Sequence, residues 1–189
     1  VHRLRAAAHQ PQGSAGLALA GGPQLAPASG RILLPRVALL YPRSDRLDLP
    51  VQADEAFRKA IEVNARFVDS FVDLGNMYID YGFANVAMVV LQTGAQINDK
   101  DARMWNGLGR AHFELGQYQE AIDTYSKAKA IDPDGVDALY GLGMAYAELR
   151  KRKEAKENLE LFISKAGQDT RPDLIKAARD TVARMADVI

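Results

Sequence analysis

Residues 68–169 repeat at a spacing of 34, and no other feature constrains the fold as strongly. Leu74, Leu108 and Leu142 align at this period, as do Gly75, Gly109 and Gly143, and Ala87, Ala121 and Ala155. Phe71, Trp105 and Leu139 stand just ahead of the Leu-Gly pair, and Tyr78, His112 and Tyr146 follow it. Gly82 and Gly116 align, with Arg150 as the exception, and Leu91, Tyr125 and Leu159 place a large residue late in each unit. A period of this length marks a solenoid, in which one unit cannot bury its apolar faces alone and must stack on its neighbours.

The spacing inside a unit predicts a helical hairpin. In 102–135, Met104, Trp105, Leu108, Ala111, His112 and Leu115 recur at helical intervals until Gly116 interrupts them. A second helical pattern runs through Tyr118, Ala121, Ile122, Tyr125, Ala128 and Ile131. Asp132-Pro133-Asp134-Gly135 then closes the unit, because Pro cannot continue a helix and Gly permits the turn. Small residues at Gly109 and Ala121 allow the two helices to approach closely.

Trp105-x-x-Leu108-Gly109-x-x-His112, followed by Gly116-x-Tyr118-x-x-Ala121-x-x-x-Tyr125-x-x-Ala128-x-x-x-x-Pro133, resembles the tetratricopeptide repeat, with His112 where a Tyr is usual. Unit 68–101 resembles it too, with Ala84, Gly94 and Asp99 as departures. Unit 136–169 drifts at Arg150, Arg152, Phe162 and Gly167, as a terminal repeat does. A partial unit, 51–67, carries Ala53, Phe57 and Ala60 in second-helix columns; its first helix would fall at 34–47, where Pro42 intervenes. The resemblance spans 51–169. It implies an all-α, right-handed α-solenoid of helix–turn–helix repeats. Residues 170–189 are expected to form a C-terminal capping helix, started by Thr170-x-x-Asp173 with Pro172 in the first turn. Its stripe is Leu174, Ala178, Val182, Met185 and Ile189; its wet side is Lys176, Arg179, Asp180, Arg184 and Asp187.

Composition excludes several classes of function. With 24 Lys plus Arg against 24 Asp plus Glu, the chain is not a globally basic nucleic-acid binder. Cysteine is absent, so disulfides, thiolate metal sites and cysteine nucleophiles are excluded. No apolar run reaches the roughly 18 residues of a membrane span. The charge is uneven: residues 1–46 hold six Arg, no Lys and one acid, for +5, which leaves −5 on residues 47–189. Residues 1–50 are expected to be a disordered or non-native extension, since Pro11, Gly13, Gly16, Gly21, Gly22, Pro23, Pro27 and Gly30 break any helix or strand. A targeting segment and a secretory signal are its rivals. A cytoplasmic location is the favoured expectation.

Candidate chemistry is thin. Gly107-Leu108-Gly109 and Gly141-Leu142-Gly143 lack the third Gly and the preceding strand of a dinucleotide fingerprint, and repeat packing explains them. Asp132-x-Asp134-Gly135-x-Asp137 lacks the closing Glu of an EF-hand loop and reads as a turn with an N-capping acid. His112 has no Cys or His near it in sequence, and its column is one of packing. Arg150-Lys151-Arg152-Lys153 reads as a solvated turn, with no interleaved aromatics to stack bases. No enzyme activity, cofactor or metal is expected.

The resemblance implies that first helices line a concave face and that their non-packing columns point into it. In the first complete repeat these are Asp69, Val72, Asp73, Asn76, Ile79 and Asp80. The second contributes Arg103, Asn106, Gly107, Arg110 and Phe113, and the third Asp137, Tyr140, Gly141, Met144 and Ala147. Asn76 and Asn106 suit the backbone of an extended peptide, and Arg103 and Arg110 suit a carboxylate. The two-carboxylate clamp of chaperone-binding members would use Val72, Asn76, Gly107, Asp137 and Gly141, of which Asn76 alone agrees, so that mode is not expected. The expected function is a scaffold or adaptor that binds a protein or peptide segment in the groove. The alternative is a structural subunit of a cell-envelope, secretion or motility assembly, with an RNA-associated repeat a distant third. Self-association through the N-terminal end is a further expectation, and no nucleic-acid partner or membrane span is expected.

Overall fold

A computed structural model describes residues 51–63 and 68–186. They form α1 (Val51–Val63), α2 (Val68–Asp80), α3 (Ala84–Ile97), α4 (Ala102–Glu114), α5 (Tyr118–Ile131), α6 (Val136–Glu148), α7 (Arg152–Lys165) and α8 (Pro172–Ala186), with no strand among the described residues. The expected extension 1–50, the first helix at 34–47, and Asp187 and Ile189 of the capping helix lie outside them.

The architecture is an all-α solenoid. Hairpins α2/α3, α4/α5 and α6/α7 stack in chain order. First helices also touch first helices, α2 on α4, α4 on α6 and α6 on α8, so that these four form one row. The capping helix therefore stands where the first helix of a further repeat would stand. At the other end α1 packs on α2 as a second helix packs on the unit that follows it.

All three hairpin turns use one hydrogen-bond pattern. Phe83 N–H donates to Tyr78 C=O (2.7 Å) and Gly82 N–H to Ile79 C=O (2.9 Å). Gln117 and Gly116 do the same to His112 and Phe113 (both 2.9 Å), and Lys151 and Arg150 to Tyr146 and Ala147 (2.9 and 3.0 Å). Such a double bond closes a helix when the residue after the cap is left-handed. Gly82 and Gly116 supply φ of 81° and 73°, and Arg150 takes φ of 57° in their place. The column after the Leu-Gly pair is thereby explained: it sits one helical turn before each stop. His112 Nδ1 bonds Gln117 Oε1 at 2.7 Å across the second turn, and Lys151 lies over the Tyr146 ring at 5.8 Å across the third.

The core runs between the two helix layers. Phe71, Leu74, Tyr78, Leu91, Met104, Leu139, Leu159 and Phe162 are fully buried. Each Leu or Phe so buried contributes about 1.5–3 kcal/mol. Glycines set the closeness of packing. A Cβ at Gly75, Gly109 or Gly143 would stand less than 3.0 Å from Leu91, Tyr125 or Leu159 respectively, the late large residue of the same repeat. The cap buries Ala178 against Leu139, Leu159 and Phe162, with Leu174 and Val182 beside it.

Three local expectations are corrected. Thr170 does not cap α8: its hydroxyl accepts from Gly167 N–H (3.1 Å), while Arg171 C=O accepts the first helical bond, from Leu174 N–H (3.2 Å). The preference for Pro at the first helical position moves the start to Pro172. The acid expected to cap α6 is also displaced, because Gly135 occupies the N-cap. Asp132 instead accepts from Asp134 N–H (3.2 Å), and Asp134 pairs with Lys165 of α7 at 2.5 Å. Ile79 does not face the groove; it is buried in the cluster that also contains Ile61, because α2 is flanked by α1 as well as by α3 and α4.

Candidate functional site

The row of first helices leaves a cavity of about 590 Å³. Its floor is Val72, Gly107 and Gly141, all buried, and its walls carry Asn76 from α2, Asn106 and Phe113 from α4, and Tyr140 and Met144 from α6. Arg103, Arg110, Glu114 and Asp137 add charge. Seven of the ten expected site residues thus line one cavity: Asn76, Arg103, Asn106, Arg110, Phe113, Tyr140 and Met144. Asp69, Asp73 and Asp80 do not line it.

Two of those acids still act on the groove. Asp69 Oδ1 meets Arg103 Nη1 at 2.6 Å, and Asp80 Oδ1 meets Arg110 Nη2 at 2.5 Å. Each pair joins α2 to α4, and its members are more than 40% exposed. Arg103 is held a second time by Asp101, Nη2 to Oδ2 at 2.7 Å and Nε to Oδ1 at 3.1 Å. Asp101 and then Asp69 hold the Arg103 guanidinium well above its ordinary pKa. The expectation that Arg103 and Arg110 await a ligand carboxylate is therefore revised: both already have one.

Four lining residues were not expected from sequence: Glu114, Tyr125, Arg171 and Leu174. Tyr125 belongs to a second helix, so column reading assigned it to packing. It does pack, 6% exposed, between Gly109 of its own repeat and Gly141 of the next. A Cβ at either glycine would lie less than 3.0 Å from its ring. The missing side chains on both flanks seat the ring and leave it at the cavity wall. Burial pushes its phenol pKa well up; Arg110 lowers it, and Glu114 and Asp137 raise it. Arg171 and Leu174 come from the capping helix and the residue before it, so the cap closes one end of the groove as well as covering the last repeat. Asp173 binds Arg171 at 2.6 Å.

Asn106 is singular. Among the described residues its Oδ1 is the one buried side-chain oxygen or nitrogen without a hydrogen-bond partner. A buried acceptor left unpaired costs about 1–3 kcal/mol, which a donor brought into the cavity would recover.

Residues 109–149 match the family model described as TPR repeat, and residues 137–168 match the one described as tetratricopeptide repeat. The small glutamine-rich tetratricopeptide repeat-containing protein 2 of Mycosarcoma maydis is 28% identical over 106 residues, 56% of this chain and 30% of that one. The chain thus spans less than a third of the length of this curated relative. The crystal structure of MamA superposes with a TM-score of 0.61 at 24% identity, over 77% of this chain and 84% of that one. The first TPR of Spaghetti (RPAP3), bound to an HSP90 peptide, gives 0.57 at 19% identity, over 64% of this chain and 96% of that one. Repeat period, hairpin stacking and family match agree, and the chain is a tetratricopeptide-repeat protein.

Proposed function

We propose that the chain is a protein-interaction module that holds a segment of a partner protein in the concave groove. The observation that carries this reading is the 590 Å³ cavity formed by three successive first helices and the start of the cap. It combines an apolar floor with a few polar groups, the usual character of a recognition site. The likeness to the RPAP3 repeat domain, whose title names a bound HSP90 peptide, supports a peptide as the kind of ligand. The clamp positions do line this groove, but they are Val72, Asn76, Gly107, Asp137 and Gly141, so the chemistry offered differs from a lysine-rich clamp. No helix among the described residues is long and apolar enough to cross a membrane.

The test is capture from the native host with the full chain as bait. Beside it runs an Asn106→Ala/Arg110→Glu variant shown by circular dichroism to be folded. A protein retained by the wild type and lost by the variant supports groove binding. Partners retained equally by both would place binding at an edge or end of the solenoid, as a structural subunit would show.

A further inference from the structure

The polar groups of the groove divide by whether they are already satisfied. Its three cations are engaged: Arg103 by Asp69 and Asp101, Arg110 by Asp80, and Arg171 by Asp173. Its two acids are not. Among the described residues no Lys, Arg or His nitrogen lies within 4.0 Å of the carboxylate of Glu114 or Asp137. Asn106 Oδ1, the unpaired buried acceptor, lines the same cavity. The groove thus presents unpaired acceptors, two carboxylates and one amide oxygen.

The net field agrees. The charged side chains that line the groove sum to +1, and with the four carboxylates that pair with its arginines from outside the lining the set sums to −3. Glu114 lies in the last turn of α4 and Asp137 in the first turn of α6, and both act electrostatically on the Tyr125 phenol between these helices. Because α4 and α6 run in the same direction, Glu114 and Asp137 stand at opposite ends of the cavity. Phe113, Tyr140 and Met144 line the rest of it with apolar surface, and aromatic faces attract cations.

Resting on the groove-binding reading above, we propose that the ligand is a basic, apolar peptide segment. One Lys or Arg side chain meets Glu114 and another meets Asp137, and the apolar residues between them lie against Phe113, Tyr140 and Met144. An acidic segment would meet neutralised arginines and two bare carboxylates, and like charges brought together suppress the wrong partner.

The test uses two fluorescein-labelled synthetic peptides of equal length. One alternates Lys and Arg with Leu and Phe, and the other has Glu at every basic position. Anisotropy titration of the full chain is expected to show binding of the basic peptide, weakened by salt, and none of the acidic one. Glu114→Gln/Asp137→Asn, folded by circular dichroism, is expected to weaken the basic peptide about tenfold. The ¹⁵N-labelled chain locates each peptide, with resonances of Asn106 and Tyr140 reporting the groove. If the acidic peptide shifts those resonances and the basic one does not, the charge assignment is overturned while groove binding stands. A basic peptide whose affinity is indifferent to Glu114→Gln/Asp137→Asn also overturns it. If neither peptide moves groove resonances, both the assignment and the reading beneath it fail.

Discussion

Replacing Arg150 by Gly should stabilise the protein. Arg150 ends α6 with φ of 57°, in the turn where the two preceding repeats use Gly82 and Gly116. A side chain in this left-handed conformation costs about 1–2 kcal/mol, because Cβ crowds the following carbonyl. Glycine removes that cost but returns about 0.4–1 kcal/mol through the greater freedom of its unfolded chain. The backbone bonds of the turn, Arg150 N–H to Ala147 C=O and Lys151 N–H to Tyr146 C=O, are kept, and the Arg150 side chain is exposed. The net gain is about 1 kcal/mol, or roughly 2–5 °C in Tm for a chain of this size. Thermal unfolding followed by far-ultraviolet circular dichroism, with a urea titration beside it, measures the change. Arg150→Ala keeps the Cβ and should be near neutral. Gly116→Ala adds the strain to an unstrained turn and should destabilise by about the same 1 kcal/mol. If Arg150→Gly lowers the urea midpoint while Gly116→Ala leaves it unchanged, the left-handed strain argument is wrong.

Three further outcomes follow from packing and charge. Gly141→Ala should destabilise by about 1–2 kcal/mol, overpacking against Tyr125 exceeding the gain in helix propensity; in a Tyr125→Leu background, which lacks the ring atoms nearest Gly141, the same change should be neutral or favourable, as urea midpoints of all four proteins will show. Asp101→Ala should cost about 1 kcal/mol at pH 7, because Asp101 accepts from Arg103 N–H at the start of α4. Hydrogen bonding from Arg103 lowers the Asp101 pKa below 3.8, so this contribution is present above about pH 4 and is lost as the pH falls through the lowered value; the stability gap between wild type and variant should close there in acid titration. Arg110→Gln breaks a pair whose two side chains are about half exposed, and should change the urea midpoint by less than about 1 kcal/mol equivalent, in contrast to Gly109→Leu, which drives a side chain into Tyr125 and should unfold the second repeat.

The groove was half legible in the sequence. Eleven of the lining residues stand in first-helix columns that the resemblance implied face the groove. The state of the arginines was not legible. Asp69 and Arg103 are 34 residues apart, and Asp80 and Arg110 are 30 apart, so their pairing appears only when neighbouring hairpins stack. That pairing gives each of the two arginines a carboxylate from the neighbouring first helix. Tyr125 was read as packing and is packing; its second role as a wall needed the side-chain gaps at Gly109 and Gly141 to face each other across it.

Sequence alone determined the hairpin unit, its stacking, the buried columns and the existence of a cap. These follow from period and side-chain size, which act over distances of one helix turn or one repeat. Tertiary structure decided the charge state of the groove, the left-handed turn at Arg150, the closure of the groove by Arg171 and Leu174, and the true start of α8. The physical reason is that the charge pairs join α2 to α4 and the closure brings α8 to a cavity lined by α2, α4 and α6, helices that are not consecutive in the chain, while the Arg150 turn and the start of α8 rest on local backbone bonds that the repeat columns do not fix. The relative placement of those helices is the accumulated result of every interhelical contact between them, and no single column of the repeat encodes it.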